Sequence, residues 1–398
     1  MKRSLFSAMS KVTSLLGNKN PFAQPMDPNE HTVWLQDNTA YRPKGGNGNS
    51  WEAEFVAAFF AKNPNRTRIT EMVADVADKL NLGHGDASEE TIAKRLEPWT
   101  TEILPGHTVR ISIGGRQEAK LGPGGSSGVS KNVIPMAAAG KETEDGDTVD
   151  SHAVGVDTHP MTTTYAEAKG WAVISDIDDT IKITGTGDIP AVLRSTFVDD
   201  PTPVDGMPAL YAHLHRALNK APFWYLSASP YNLYPFLHEF RNAHYPPGPL
   251  LLWNASWMDV SAFVLALTKE PEKYKCDKMR ELHRNFPSRA FVCIGDSTQR
   301  DPEAYAQMAR EFPRWVRAIF IRRVTGPDND ESKTGPDRFE KAFKGLDRGL
   351  WHVFDDPTEL YARVDALVAG DPLGTGSGTG DAPPTEPESS QKRGCVVL

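Results

Sequence analysis

The feature that most constrains this chain is a short apolar stretch that runs directly into a cluster of acidic residues. Residues 171–174 read Trp-Ala-Val-Ile, which predicts a buried strand. Asp176, Asp178 and Thr180 follow at alternate positions. Because residues two apart in an extended chain face the same side, both carboxylates can address one phosphorus atom or one metal ion. At the carboxyl end of a parallel α/β strand, where ligands bind, one carboxylate can attack as a nucleophile while the other moves a proton.

A second apolar stretch further along the chain ends in hydroxyl side chains. Residues 223–226 predict a strand that finishes at Ser227. Ser229 stands directly before Pro230, and this order predicts that Ser229 caps the following helix. Ser227 is therefore the hydroxyl residue that we assign to the end of this strand.

A helix with two lysines and a third apolar strand complete the pattern. The helix carries Lys275 and Lys278, and from the spacing alone either lysine can face a site at the strand ends. Residues 290–294 then predict a strand that runs into Gly-Asp296, and Asp301 follows five residues later. Three predicted strands thus each end in polar side chains.

These segments, in this order, resemble the four motifs of haloacid-dehalogenase-type phosphatases. The resemblance implies that Ser227 hydrogen-bonds a phosphoryl oxygen and that Lys275 neutralises charge on the phosphoryl group and the nucleophile. Lys278 remains a rival for the lysine role. The resemblance also implies that Asp296 completes an oxygen cage for Mg²⁺, a hard ion that keeps several waters and takes few carboxylates. Asp301 is expected in a second or water-bridged metal position.

Within that superfamily, residues 171–325 resemble the fungal actin patch protein family. The shared motifs are Asp-Ile-Asp-Asp-Thr-Ile-Lys, Tyr-Leu-Ser-Ala-Ser-Pro and Ile-Gly-Asp-Ser-Thr-Gln-Arg-Asp-Pro-Glu. The characterised members are Mg²⁺-dependent phosphatidate phosphatases, with catalytic motifs similar to those of lipins. This implies that Asp176 attacks phosphorus and that Asp178 first protonates the leaving glycerol oxygen and then deprotonates water. Mg²⁺ would be held by Asp176, Asp296 and the backbone carbonyl of Asp178.

The family resemblance leaves more than one activity open. It implies phosphatidate as the substrate and cortical actin patch or endocytic proteins as partners. The alternatives are a phosphatase that acts on phosphoprotein or on a soluble phosphate ester, and a non-catalytic cortical adaptor. Intact Asp176, Asp178 and Asp296 count against the adaptor, because a protein without activity is free to lose them.

The 398 residues are enough for two folded units, which we expect between flexible ends. Residues 171–366 are predicted to form an α/β catalytic domain, a haloacid-dehalogenase-like Rossmannoid parallel sheet. Residues 31–170 are predicted to form a β-rich domain with a helical excursion. Residues 1–30 and 367–398 are expected to be a flexible N-terminal segment and a disordered tail.

Several local predictions fall in the β-rich unit. Residues 32–36 and 51–56 predict two strands of a hairpin, and 108–113 another strand. Apolar spacing predicts a helix over 69–80 and a shorter one that starts near Ser88 and ends before Pro98. Residues 124–128 fit G-x-S-x-G but lack the flanking strand and helix of a serine hydrolase. They belong to a stretch, about 115–160, that we expect to be poorly ordered.

Composition limits the partners and the compartment. A net charge of −8 and 39% apolar residues suit a soluble protein and disfavour nucleic acid as a partner. The three cysteines, Cys276, Cys293 and Cys395, show no metal-ligand spacing, which favours reduced thiols in the cytoplasm.

The two ends of the chain predict attachment to a membrane surface. Residues 395–398 read Cys-Val-Val-Leu, which fits a prenylation motif with Cys395 as the modified residue. Residues 2–19 combine lysines and arginine with apolar residues at helical spacing, which fits either a short helix lying on an anionic surface or a frayed terminus. We therefore expect a cytoplasmic protein that is peripherally bound to membranes, with cortical actin patches as one location.

Overall fold

The computed structural model describes residues 23–44, 50–82, 88–136, 143–156, 158–253, 271–325 and 334–370. The amphipathic segment at residues 2–19 and the prenylation motif at Cys395 lie outside these ranges, so both stay predictions. Cys276 and Cys293 are free and buried. In the described part of the chain, no helix combines the length and apolar character needed to cross a bilayer.

The described residues form strands and helices that alternate regularly only in the second half of the chain. The strands are β1 Gln24–Pro25, β2 His31–Gln36, β3 Asn38–Tyr41, β4 Trp51–Ala61, β5 His107–Ile113, β6 Gln117–Leu121, β7 Val129–Met136, β8 Thr148–Ala153, β9 Met161–Tyr165, β10 Trp171–Asp176, β11 Phe223–Pro230, β12 Leu250–Trp253, β13 Ala290–Asp296, β14 Val316–Arg322 and β15 Trp351–Phe354. The helices are α1 Arg66–Lys79, α2 Ser88–Thr100, α3 Ile189–Phe197, α4 Met207–Ala217, α5 Tyr234–His244, α6 Pro271–Asn285, α7 Asp301–Glu311, α8 Pro336–Ala342 and α9 Tyr361–Gly370.

Strands β1 to β9 form one largely antiparallel sheet around an apolar core. The strand order is β1-β5-β8-β9-β3-β4-β2, with β6 paired to β5 and β7 paired to β4. Alternate residues of β4, such as Trp51, Phe55 and Phe59, face this core because side chains alternate along a strand. The predicted antiparallel pairing of β2 with β4 is confirmed, and β3 also pairs with β4.

The predicted disorder over residues 115–160 is wrong for β6, β7 and β8. Strand β7 pairs with β4 from Val129 opposite Ala58 to Met136 opposite Trp51. This ladder gives the backbone of β7 hydrogen-bond partners along its length, so the segment is ordered although the residues before it are rich in glycine. The G-x-S-x-G segment lies between β6 and β7, so a strand follows it and not the helix that a nucleophile elbow requires.

Strands β10 to β15 form a second sheet in which every neighbouring pair is parallel. The order is β12-β11-β10-β13-β14-β15. Along β10, Trp171 and Val173 enter the core on one face, whereas Ala172 and Ile174 enter the core on the other. Helices α3, α4 and α5 pack on the first face and α6, α7 and α8 on the second. This is a mixed α/β architecture with helices on both sides of a parallel sheet.

The strand order fixes where a ligand can bind. From β10 the chain first adds β11 and β12 on one side and then returns to add β13, β14 and β15 on the other. Adjacent connections therefore diverge at the carboxyl end of β10 and leave a crevice there. Asp176 is the last residue of β10, so the acidic cluster stands in this crevice.

Helices α1 and α2 pack against the second sheet's helices, although the sequence placed them as an excursion of the β-rich unit. Met72, Val76 and Trp99 belong to the core of the second sheet, and the ring of Trp99 lies 5.5 Å from that of Phe197. Helix α2 also continues through Pro98 to Thr100, so its predicted end was too early. The apolar face of each helix is buried against this core.

Ion pairs join the β-rich unit to the α/β unit. Asp37, between β2 and β3, accepts hydrogen bonds from the guanidinium of Arg241 and from the backbone N–H of Thr162 at 2.7 Å. Arg289 donates to both carboxylate oxygens of Asp145 at 2.8 Å. The β-rich unit is therefore held to the α/β unit by one fully buried ion pair, Asp37 with Arg241, and by a second pair in which Arg289 is buried and Asp145 is partly exposed.

Candidate active site

The centre of the crevice is a buried ion-pair cluster around Asp176. Lys275 Nζ donates to Asp176 Oδ1 at 2.6 Å and also contacts Asp301 Oδ1. Thr180 Oγ1 donates to Asp176 Oδ2 at 3.1 Å. Asp176, Lys275 and Asp301 have no exposed surface. The cluster is thus built from the end of β10 and the first turns of α6 and α7, which are far apart in sequence.

The structure decides between the two candidate lysines. Lys275 points into the crevice, while Lys278 is partly exposed and pairs with Glu281 at 2.8 Å. Burial lowers the pKa of Lys275, but Asp176, Asp301 and Asp296 raise it more, so its pKa stays above the ordinary value. Lys275 is therefore charged and available to an anionic group.

Asp178 is held by three hydroxyl groups from two segments. Ser227 Oγ donates to Asp178 Oδ2 at 2.7 Å, and Ser229 Oγ lies 3.4 Å from the same oxygen. Thr184 Oγ1 donates to Oδ1 at 2.9 Å. The prediction that Ser229 caps a helix is wrong, because Ser229 is the penultimate residue of β11 and its hydroxyl faces Asp178.

Asp179 organises the loop that follows β10. Its backbone adopts a left-handed φ of 58°, and its carboxylate accepts from the backbone N–H groups of Thr184, Gly185 and Thr186. Thr186 Oγ1 then lies 2.6 Å from Thr298 Oγ1 of the loop after β13. The loop is therefore held against the crevice from both sides, which places Thr184 beside Asp178.

Three carboxylates could hold a metal ion. One oxygen each from Asp176, Asp296 and Asp301 lies within 4.8 Å of the others. Asp296 Oδ1 accepts from Thr298 N at 2.5 Å, but buried Asp296 Oδ2 has no hydrogen-bond partner among the described residues. An orphaned buried carboxylate oxygen is costly unless a cation binds it. The oxygen-only donor set suits a hard divalent ion. By contrast, the carboxylate oxygens of Asp178 are taken up by hydroxyl groups.

The charge balance of these carboxylates also favours a bound cation. Burial, together with Asp301 and Asp179, raises the pKa of Asp296 to about 8. Burial likewise raises the pKa of Asp176 well above its ordinary value, although Lys275 opposes that rise. A nearby cation favours the ionised form of both groups. The cluster therefore matches a site for a divalent metal.

Four polar residues at the crevice were not identified from the sequence. These are Asp179, Lys182, Thr184 and Arg322. The Nη1 of Arg322 donates to the carbonyl of Asp179 at 2.7 Å. The first three lie just beyond the strand, where a run of polar residues between isoleucines was the available signal. Arg322 ends β14, and nothing local distinguishes it from a surface arginine.

Part of the chain is similar in sequence to known proteins. Residues 171–323 match the family described as "Phosphatidate phosphatase APP1, catalytic domain". The chain is 34% identical over 169 residues to phosphatidate phosphatase APP1 of Saccharomyces cerevisiae, which is 42% of this chain and 28% of that protein. It is 28% identical over 160 residues to an uncharacterized protein of Schizosaccharomyces pombe, covering 40% of this chain and 26% of that protein.

These matches cover only part of each protein, since the chain spans about a quarter of the length of these curated relatives. A solved carbohydrate esterase covers 85% of this chain and 98% of its own at 8% identity, with a TM-score of 0.24 that is too low to bear on the fold. The matched region contains the strands β10, β11 and β13 that build the crevice. Residues 171–323 are therefore similar in sequence to the catalytic domain of phosphatidate phosphatase APP1.

Proposed function

We propose that this protein is a Mg²⁺-dependent phosphatidate phosphatase of the haloacid-dehalogenase type, which converts phosphatidate to diacylglycerol and phosphate. The observation that carries the proposal is the pairing of Asp176 with Lys275 next to Asp178 in the crevice of a domain related to APP1. Paired carboxylates with separate partners can take separate roles, one as nucleophile and one as proton carrier. The doubly wound parallel sheet supports the haloacid-dehalogenase assignment.

The first chemical step is assigned to Asp176. One of its oxygens attacks phosphorus, a new O–P bond forms, and the bond from phosphorus to the glycerol oxygen breaks. Asp178 gives its proton to that departing oxygen, so diacylglycerol leaves as an alcohol. Lys275 offsets the negative charge of the nucleophile and the phosphoryl oxygens, and Ser227 positions Asp178.

The second step restores the carboxylates. Asp178, now ionised, takes a proton from a water molecule, whose oxygen attacks the phosphorus of the aspartyl-phosphate. The bond between Asp176 and phosphorus breaks, and inorganic phosphate leaves. Because Asp176 is buried, a phosphoryl group reaches it only when the segments around the crevice move apart.

The metal would be held by Asp176 and Asp296, with Asp301 at the third corner of the cluster. When bound, Mg²⁺ would supply positive charge that reduces repulsion between an anionic nucleophile and an anionic substrate. The orphaned Asp296 Oδ2 supports this assignment. Asp301 already contacts Lys275 through one oxygen and accepts from the Asp296 backbone N–H at 3.3 Å through the other, so it acts mainly as a support.

A substrate panel tests the activity. Purified protein is assayed for phosphate release from phosphatidate and lysophosphatidate in detergent micelles, from a phosphopeptide and from glycerol 3-phosphate, with Mg²⁺ and with a chelator. We expect phosphatidate to give a kcat/KM at least about tenfold above the soluble esters, because acyl chains add binding energy. A preference for the phosphopeptide or glycerol 3-phosphate would favour a different phosphatase. No release from any ester would favour an adaptor.

Metal activation should separate Asp296 from Asp301. In Asp296→Ala, the Mg²⁺ concentration for half-maximal activity should rise by about tenfold or more, since an outright ligand is lost. In Asp301→Ala, kcat should fall while that concentration changes less, because Lys275 loses a partner. Calorimetric titration of Mg²⁺ into both variants measures binding without turnover. Equal Mg²⁺ affinity in Asp296→Ala and the parent would contradict the metal assignment.

Localisation and protein partners also stand as proposals. We propose peripheral attachment to membranes through a prenyl group on Cys395, supported by the sequence of residues 395–398. Association with cortical actin patch or endocytic proteins is proposed from the family resemblance alone. Intact-mass measurement of the protein isolated from cells tests the modification of Cys395.

A further inference from the structure

A buried lysine stands beside the proposed proton carrier, and the chemistry described above does not use it. Lys182 is 1% exposed. Its Nζ donates to Thr184 Oγ1 at 3.0 Å and lies 3.4 Å from the carbonyl of Ile183. Among the described residues, no carboxylate oxygen lies within ion-pair distance of Lys182 Nζ. Because a fully buried lysine is rare without a paired charge, its presence here requires an explanation.

The contacts of Lys182 fix the direction of a hydrogen-bond chain. An ammonium group only donates, so Thr184 Oγ1 must accept from Lys182. The hydroxyl has one hydrogen of its own, which can go to Asp178 Oδ1 at 2.9 Å or to the Lys182 carbonyl at 3.4 Å. The shorter contact is to a carboxylate and is the stronger of the two. Lys182 therefore directs the hydroxyl hydrogen of Thr184 toward Asp178.

The surrounding charges agree with a role in holding Asp178. Burial lowers the pKa of Lys182, while Asp178 and Asp179 act in the opposite direction at longer range. The ring of Phe236 lies 5.7 Å from Lys182 Nζ and covers the side chain. The contacts with Thr184 and Phe236 restrict the position of the ammonium group, and a donor in a fixed position can hold Thr184 in one rotamer.

The backbone of Lys182 has a separate function. Its N–H donates to the carbonyl of Ile177 at 3.0 Å, and its carbonyl accepts from Asp179 N at 2.7 Å. These bonds close the turn after β10 whatever the side chain is. Replacing the buried charge by an apolar chain of similar length can also be neutral for stability. The side chain is therefore not needed to form the turn.

We propose that Lys182, acting through Thr184, is a positioning residue that holds the Asp178 carboxyl group in place for proton transfer to the leaving oxygen. The proposal rests on the proposed phosphatase function, because it assigns a role within that reaction. With Ser227 and Ser229 on Oδ2 and Thr184 on Oδ1, both oxygens of Asp178 have fixed donors. Without Lys182, the Thr184 hydroxyl is free to rotate, and Oδ1 loses its oriented donor.

The test compares two leaving groups on one substrate. Dioctanoyl phosphatidate releases dioctanoylglycerol, whose departing alcohol oxygen needs a proton from Asp178. The analogue with sulfur at the bridging position releases an acidic thiol, which can depart as the thiolate without that proton. We measure kcat/KM, which includes only the steps up to departure of the leaving group. For Lys182→Met, we expect about a 10- to 100-fold loss on the oxygen ester and less than about a threefold loss on the sulfur ester.

Three further variants complete the experiment. Thr184→Val should give the same split, and Lys182→Met combined with Thr184→Val should be no worse than Thr184→Val alone, since the two act as one unit. Lys278→Met, on the surface of α6, should leave both esters unchanged. Thr184→Val tests the same contact if Lys182→Met unfolds, which a thermal melt detects.

The outcomes separate the two levels of the argument. An equal loss on both esters, or no loss on either, would overturn the role of Lys182 while leaving the phosphatase assignment intact. A parent protein that hydrolyses neither ester would overturn the proposed function itself.

Discussion

Replacing Asp176 with asparagine is expected to lower phosphate release from phosphatidate by at least about a hundredfold, because an amide cannot form the aspartyl-phosphate. The side chains are nearly the same size, and the amide retains an oxygen that can accept from Lys275 or Thr180. The fold should therefore persist, as circular dichroism and a thermal melt can show. Asp178→Asn should cause a comparable loss because it removes the proton carrier.

The matched control is Asp205→Asn, at an exposed carboxylate outside the crevice. It should keep the activity of the parent within about twofold, since surface substitutions rarely perturb a site. Incubation with ³²P-labelled phosphatidate and acid quenching adds a direct measurement of label on the protein. Substantial turnover by Asp176→Asn, or label that persists in it, would remove Asp176 as the nucleophile.

Replacing Asp37 with alanine is expected to destabilise the whole protein by about 3–5 kcal/mol, because Arg241 is then left buried without its counter-charge. Both side chains are only 1% exposed. Asp37 also holds the Thr162 backbone and lies 3.1 Å from His238 Nε2, so the change breaks contacts to three residues on two elements, α5 and β9. Chemical denaturation followed by tryptophan fluorescence measures the loss.

Two controls distinguish a buried pair from a surface pair. Asp75→Ala removes the exposed partner of Lys79 and should cost no more than about 0.5 kcal/mol. Replacing both members, Asp37→Leu with Arg241→Met, should recover part of the loss because no unpaired charge remains. A cost in Asp37→Ala no larger than that in Asp75→Ala would show that the two units do not depend on this contact.

The stabilising effect of Asp37 should also depend on pH. Burial raises the pKa of Asp37, but the hydrogen bond from His238 and the charge of Arg241 outweigh it, so the pKa lies below its ordinary value. Such a carboxylate contributes its full stability above its unfolded pKa and loses it as the pH falls through its folded pKa. The difference in stability between the parent and Asp37→Ala should therefore shrink in acid.

The sequence by itself determined the strand that ends at Asp176 and leads into Asp178, because a short apolar run followed by alternate carboxylates is typical of a buried strand with a ligand site at its end. Period-two and helical spacing of apolar residues likewise predicted β4, β5 and α1, each of which buries one face. Uninterrupted apolar runs predicted β10, β11 and β13 of the second sheet, because both faces of a parallel sheet are buried, whereas β14 and β15 were not predicted.

Only the tertiary structure decided which distant side chains meet. Lys275 and Lys278 have the same local surroundings in sequence, and the way α6 packs on the sheet turns Lys275 inward. Ser229 was predicted to cap a helix, but the pairing of β11 with β10 places its hydroxyl 3.4 Å from Asp178. Predicted disorder failed in β7 because pairing with β4 satisfied a backbone that no local signal could account for. Local spacing fixes the direction of a side chain within its own element, whereas its partner depends on how the elements pack, and that packing contributes most of the stabilising energy.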